Sequence, residues 1–188
     1  ANVFYMDWTD QQILQATDVT IGTPASPGVA TDFLVLNAGE SRLFGGELAI
    51  NARPTESTDL FLSLAYVDTE FSDFVTSSQD FTGNEFPEAP NFTAALGATR
   101  YFSNGWYAGA DASYQAASFT GAENVGLFQS RTLFNARIGY ETEDWRVFAY
   151  GRNLSDKDYQ IGGAILTADN VASVGEGRVI GIVAQYNF

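Results

Sequence analysis

The sequence predicts an all-β fold of antiparallel, up-and-down transmembrane strands that form the wall of a β-barrel. Three observations predict it. Segments alternate with period two between an apolar and a polar face. The connections between segments alternate between short and long. Aromatic residues gather beside the short connections, as they do where a bilayer meets water.

The first strand is placed at 1–13, where alternation is visible from Ala1 to Trp8, and a long connection follows at 14–40. The second is 41–54, with Phe44, Gly46, Leu48, Ile50 and Ala52 opposite Glu47, Asn51 and Arg53. A short turn at 54–58 leads to 59–71, and a long connection at 72–90 leads to 91–102. After the short turn 103–105 comes the clearest strand, 106–117. There Trp106, Ala108, Ala110, Ala112 and Tyr114 share one face while Tyr107, Gly109, Asp111, Ser113 and Gln115 share the other. One face suits lipid and the other suits water. Past a long connection at 118–130, strand 131–141 repeats the pattern, with Phe134, Ala136, Ile138 and Tyr140 opposite Leu133, Asn135, Arg137 and Gly139. The short turn 142–144, strand 145–153, long connection 154–176 and strand 177–188 complete the chain. That makes about eight strands, each near or above the ~9 to 11 residues a tilted barrel strand needs to cross a bilayer.

Tyr101, Phe102, Trp106 and Tyr107 flank one short turn, Tyr140 and Trp145 flank another, and Tyr186 and Phe188 fall at the same level. Arg137, Arg146 and Arg152 fall on the polar face, which supports the register, since an arginine against lipid near the midplane costs ~2 to 4 kcal/mol. Arg100 points outward in this register, close enough to the interface to snorkel. A soluble β-sandwich or lipocalin-like barrel also alternates and also buries aromatics, so it stays as a competing architecture.

Composition narrows the function. The chain has 188 residues, is 45% hydrophobic and carries a net charge of -14. That charge opposes binding to nucleic acid, whose affinity for proteins rests on Lys and Arg. The longest apolar run, 179–184, is interrupted by Gly181 and is far below the roughly 18 residues of a membrane-spanning helix. There is no His and no Cys, which removes the commonest general base, the thiolate nucleophile and the imidazole and thiolate metal ligands. No catalytic, cofactor-binding or metal site is therefore assigned. Asp80, Glu85 and Glu88 read as a solvated acidic loop in preference to an acid and base pair or a divalent-cation site.

Particular segments resemble the TonB-dependent receptor family. Val3-Phe4-Tyr5-Met6-Asp7-Trp8 with Asp10-Gln11 looks like that family's strand rising into an outer loop. Asn37-Ala38-Gly39-Glu40-Ser41 followed by Phe44-Gly45-Gly46-Glu47-Leu48 is similar to its glycine and glutamate strand. Pro87, Ala89, Pro90 and Asn91 resemble the proline motif that opens a descending strand. Asn153-Leu154-Ser155-Asp156-Lys157-Asp158-Tyr159 resembles the exit of the penultimate strand, and 178–188 resembles the last strand. The resemblance implies that 1–188 is the C-terminal segment of a barrel of about twenty-two strands, with the plug domain absent from this stretch. A complete small barrel of about eight strands, with a structural or binding role, is the alternative.

The resemblance further implies a passive part of a nutrient-uptake receptor in the outer membrane of a Gram-negative bacterium, and not an enzyme. The implied cargo is a scarce nutrient such as a ferric siderophore, cobalamin or a saccharide. The implied partners are outer-membrane lipid and lipopolysaccharide, the remaining barrel strands and plug, the TonB energy-coupling system and the barrel insertion machinery. The row Ile180, Ile182, Ala184, Tyr186 and Phe188 resembles the assembly signal of such barrels. The loop aromatics Phe74, Phe81, Phe86, Phe119, Phe128 and Tyr159 are candidates for ligand contact, with packing of the loops as the competing role.

Overall fold

The computed structural model describes residues 1–23, 26–76, 79–165 and 170–186, and of 14–23, 26–33, 163–165 and 170–172 the backbone alone. The described residues contain strands and no helix.

Eight strands form one antiparallel sheet: β1 (Asn2–Thr9), β4 (Glu40–Thr55), β5 (Thr58–Asp73), β6 (Phe92–Tyr101), β7 (Trp106–Gln115), β10 (Arg131–Glu141), β11 (Trp145–Arg152) and β14 (Val179–Tyr186). They pair in that order, each with the next, and the sheet is not closed: β1 and β14 are its two edges. All eight coincide with strands expected from the alternation. The other six strands pair as hairpins inserted in the long connections. They are β2 (Gln12–Thr23) with β3 (Ser26–Asn37), β8 (Ser118–Phe119) with β9 (Leu127–Phe128), and β12 (Gln160–Ile165) with β13 (Asn170–Val174).

The β2–β3 hairpin replaces much of what the sequence suggested was a loop. It continues the β1–β4 ladder across a joint at Asp10 and Gly39, both with positive φ (57°). The joint is tied by Asp10 N–H to the Gly39 carbonyl and Ala38 N–H to the Gln11 carbonyl, each 2.7 Å. Both chains turn together without losing pairing.

The register places the two faces as the alternation requires. Ile138 lies opposite Ala108 and Ala149, and Asn135 lies opposite Asp111. The outward face is bare apolar surface: Ile138 is 53% exposed and Ile182 77%. Two aromatic belts bound it. Toward the short turns, Trp106 packs on Tyr140 (centroids 5.5 Å apart) and Trp145 on Tyr186 (4.8 Å). Toward the long connections stand Phe44, Tyr66 and the pair Phe92 and Tyr114 (6.1 Å). From Trp106 to Tyr114 is about 27 Å of strand, or roughly 21 Å of bilayer at a tilt of about 40°, which matches the apolar band of a transmembrane barrel. Tyr101 and Tyr107 flank a short turn but belong to the inner face; Tyr107 is buried beside Gly139 and the Arg146 guanidinium.

Among the described residues, the inner face between the belts carries no protein core. The buried apolar cluster lies at the long-connection end instead. There Phe71 of β5 packs with Phe74, Phe81, Phe86, Ala38 and Ala122, and Leu43 and Ile13 close its margin.

Candidate functional site

The inner wall is built by every second residue of the central strands. Asn135 Nδ2 donates to Asp111 Oδ2 (2.6 Å), one strand across. Arg137, the next inward residue of β10, reaches Thr99 Oγ1 on β6 (3.3 Å) over Gly109. Arg152 pairs with Glu176 (3.0 Å), and Arg146 with Glu141 (3.5 Å). All three inner-wall arginines expected from the sequence thus lie on the polar face. Thr99, Asp111, Asn135, Arg137, Tyr150 and Arg152 line a hollow of about 380 Å³.

Aromatic rings on this wall lie flat against it. Phe4 sits directly opposite Gly45, Phe61 opposite Gly97, Tyr107 opposite Gly139 and Tyr150 opposite Gly181. A Cβ at any of these glycines would come within 2.7 Å of the facing ring. The missing side chain is what lets each ring rest on the neighbouring strand instead of projecting inward.

At the end carrying the long connections, Asn153 organises the exit of β11. It is buried, with φ 46°, a conformation asparagine tolerates better than most residues. Its N–H donates to Asn135 Oδ1 (3.1 Å), and its Nδ2 to the carbonyls of Lys157 (2.9 Å) and Glu176 (3.1 Å). Its Oδ1 accepts from the Lys157 N–H (2.9 Å). Asp156 then clamps Arg178 through the backbone N–H (2.9 Å) and the guanidinium (3.2 Å). The motif beginning at Asn153 therefore ties both ends of the 154–178 connection to the barrel strands. Its role as a hub was not legible from spacing; the sequence offered only an asparagine at the head of the motif that follows β11.

The candidate loop aromatics divide. Phe74, Phe81, Phe86 and Phe128 are buried, the first three against one another and Phe71. Phe119 and Tyr159 are half-buried, with the Arg131 guanidinium 4.8 Å above the Tyr159 ring. Arg131 also donates to Gln115 Oε1 (2.6 Å) and the Gln160 carbonyl (3.0 Å), fastening the last connection to the β7–β10 ladder. Loop 74–91 is joined to loop 116–130 by Asn84 Nδ2 to the Ala122 carbonyl (2.8 Å) and Glu85 N–H to Asn124 Oδ1 (2.7 Å). Asp80 accepts the Thr82 N–H (3.0 Å), and that bond, aided by the Thr82 hydroxyl, holds its carboxyl below the ordinary value. Among the described residues no group of three or more carboxylates is placed to hold a metal ion. Of the row expected to signal assembly, Ile180 and Ile182 are largely exposed and Tyr186 packs on Trp145, while Phe188 lies outside the described residues.

An antiparallel meander with a lipid-facing outer surface, two aromatic belts, a polar inner wall and elaborated connections at one end is part of a transmembrane β-barrel. The model of the family "TonB dependent receptor-like, beta-barrel" matches residues 1–154, and the chain belongs to that family. Solved structures share its fold. The ferric yersiniabactin uptake receptor FyuA from Yersinia pestis aligns with a TM-score of 0.73 and 17% identity, over 99% of this chain and 34% of that one. The siderophore receptor PiuA from Acinetobacter baumannii aligns with a TM-score of 0.67 and 23% identity, over 83% and 25%. The ferric-catecholate import receptor Fiu from E. coli K12, in its closed form, aligns with a TM-score of 0.68 and 19% identity, over 85% and 24%. The chain thus spans about a quarter to a third of the length of these receptors.

Proposed function

We propose that the chain is the C-terminal part of the barrel wall of an outer-membrane receptor that takes up a scarce nutrient with energy coupled through TonB. In this reading the plug and the segment that engages TonB belong to the rest of the receptor. The observation that carries the reading is the open sheet of eight strands with a lipid face on one side and a polar wall on the other. In hydrocarbon the unpaired N–H and C=O groups along β1 and β14 need strand partners, which supports a larger closed wall over a complete barrel of these strands alone. The inner wall, with its arginines held by Thr99, Glu141 and Glu176, is a hydrated surface for a plug or passing cargo. The connections 72–90 and 154–176, set in place by the phenylalanine cluster and the Asn153 hub, bear on cargo capture.

The fold-mates' siderophore cargo makes a chelated metal the first substrate class to test, with cobalamin and saccharides next. The receptor family and the siderophore-receptor fold-mates support a transport part and not an enzyme. Cells whose high-affinity route is the full-length receptor should accumulate radiolabelled iron from one of a panel of ferric chelates, or labelled cobalamin or oligosaccharide. They should lose that uptake when the proton-motive force is collapsed or when 72–90 is deleted. Uptake that survives the uncoupler unchanged would refute energy coupling, and unchanged affinity after the deletion would move recognition off this connection.

A further inference from the structure

Among the described residues Arg100 is the cation on the outward face at the short-turn end, and its guanidinium is turned toward the β4–β5 turn. Its Nη1 donates to Thr58 Oγ1 (2.6 Å) and Thr55 Oγ1 (3.2 Å) at the β4–β5 turn. The two threonines are themselves joined, Thr55 Oγ1 to Thr58 Oγ1 at 2.9 Å, so the anchor is fixed on the turn. The remaining guanidinium N–H groups are left to face a hollow of about 730 Å³, lined among others by Glu56, Ser57, Phe102, Asn104 and Trp106. Arg100 and Glu56 share this hollow, yet among the described residues they form no ion pair with each other.

A fixed cation with spare donors, an unpaired anion and an indole, all at the level of an interfacial aromatic belt, suit one kind of molecule: a lipid whose headgroup carries both a phosphate and an amine. We infer that this hollow binds the headgroup of a phosphatidylethanolamine in the membrane leaflet on the short-turn side. The phosphate sits on Arg100, where guanidinium gives charge-assisted hydrogen bonds with good geometry. The ammonium, two carbons away from the phosphate ester oxygen, sits on Glu56. Trp106 supports the glycerol region, and the acyl chains run along the apolar face past Ala98 and Ala108. Glu56 and the chain's net charge of -14 disfavour an anionic headgroup in the same place. The inference requires the wall to be in a bilayer, but it does not depend on what is transported.

The test is native mass spectrometry of the full-length receptor in detergent with dioleoyl phosphatidylethanolamine or dioleoyl phosphatidylglycerol, folding being checked by heat-modifiable mobility on gels. The wild-type receptor should retain the ethanolamine lipid about two- to fivefold better than the glycerol lipid, the scale of an exposed ion pair. Glu56→Gln should erase that preference while keeping both lipids. Arg100→Gln should lower retention of both by about tenfold or more, as loss of hydrogen bonds to a charged group predicts. Equal retention by Arg100→Gln and wild type would overturn the site. A wild type indifferent to the two lipids would overturn the amine assignment. Displacement by glycerophosphoethanolamine at a concentration no higher than that of the lipid would show that the chains add nothing and would overturn the assignment to a membrane lipid. A receptor that transports none of the tested cargoes would still give the predicted lipid pattern.

Discussion

Gly181 of β14 faces Tyr150 of β11, and a side chain at this position should force the ring off the wall. A Cβ built on Gly181 would lie 2.7 Å from Cε1, Cζ and Oη of Tyr150, so the clash is with that one ring. Ordinary contact begins near 3.4 Å, so the ring must retreat by about 0.7 Å for alanine and further for valine, whose two methyl groups spread across it. Alanine is accommodated by a small swing of a long side chain and should cost less than about 1 kcal/mol. Gly181→Val should cost about 1 to 3 kcal/mol, the usual penalty for overpacking, and should push the phenol toward the lumen. Guanidinium unfolding of the full-length receptor in lipid vesicles measures this, with Ala184→Val on the lipid face as a near-neutral control. Tyr150→Ala should relieve most of the valine penalty, giving a coupling of about 1 to 2 kcal/mol in a double-mutant cycle. A neutral Gly181→Val, or a penalty that persists undiminished in Tyr150→Ala, would refute the account of rings laid on glycines.

Other expectations follow from the same geometry. Phe134→Arg should cost ~2 to 4 kcal/mol in vesicle refolding, whereas Ser113→Arg, on the wet face of the neighbouring strand, should be near neutral. Phe74→Ala should expose the 72–90 connection to limited proteolysis while the barrel keeps its heat-modifiable mobility, because the cluster it leaves is local to the loop end. Asn153→Ala should loosen the 154–178 connection, seen as faster amide exchange at Lys157, since one side-chain amide accepts the Lys157 N–H and also holds the Glu176 carbonyl at the far end. Asp80 has a lowered carboxyl value, so its contribution to the 74–83 turn is complete above the ordinary carboxylate range and is lost as pH falls through the lowered one. A spin label at Gln79→Cys should become more mobile over that fall, and should show no such transition in Asp80→Asn. Deleting Phe188 from the full-length protein should cut insertion in cells yet leave folding into detergent nearly normal if the final row is read as an assembly signal. Equal failure in both would make its role structural.

The sheet was legible because lipid and water impose opposite demands on successive residues. In β7 and β10 this wrote Ala108, Ala110, Phe134 and Ile138 against Asp111, Ser113, Asn135 and Arg137, and the pairing follows that division. Past the joint at Asp10 and Gly39 the strict alternation of the sequence breaks down, and the β2–β3 hairpin read as a loop despite Val19-Thr20-Ile21 and Phe33-Leu34-Val35-Leu36. The belt at the long-connection end was missed for another reason. Phe44, Tyr66, Phe92 and Tyr114 are far apart in sequence, and only the stagger of the strands brings them level. For the loop aromatics, composition offered both ligand contact and packing. Burial of Phe74 and Phe81 follows from contacts among three separate connections, which no local pattern encodes. Asn153 was visible as a letter in a motif, but its work depends on Asn135, Lys157 and Glu176 arriving together.

The central claim, that this chain is bilayer-spanning wall with a lipid face and a wet face, is tested most directly by single-cysteine scanning of β7 and β10 in the full-length receptor reconstituted in bilayers. A lipid-soluble quencher should reach probes at 108, 110, 134 and 138, and a water-soluble thiol reagent should reach 111, 113, 135 and 137, with strict alternation along each strand. Uniform labelling along both strands, or the same alternation in opposite phase, would contradict it.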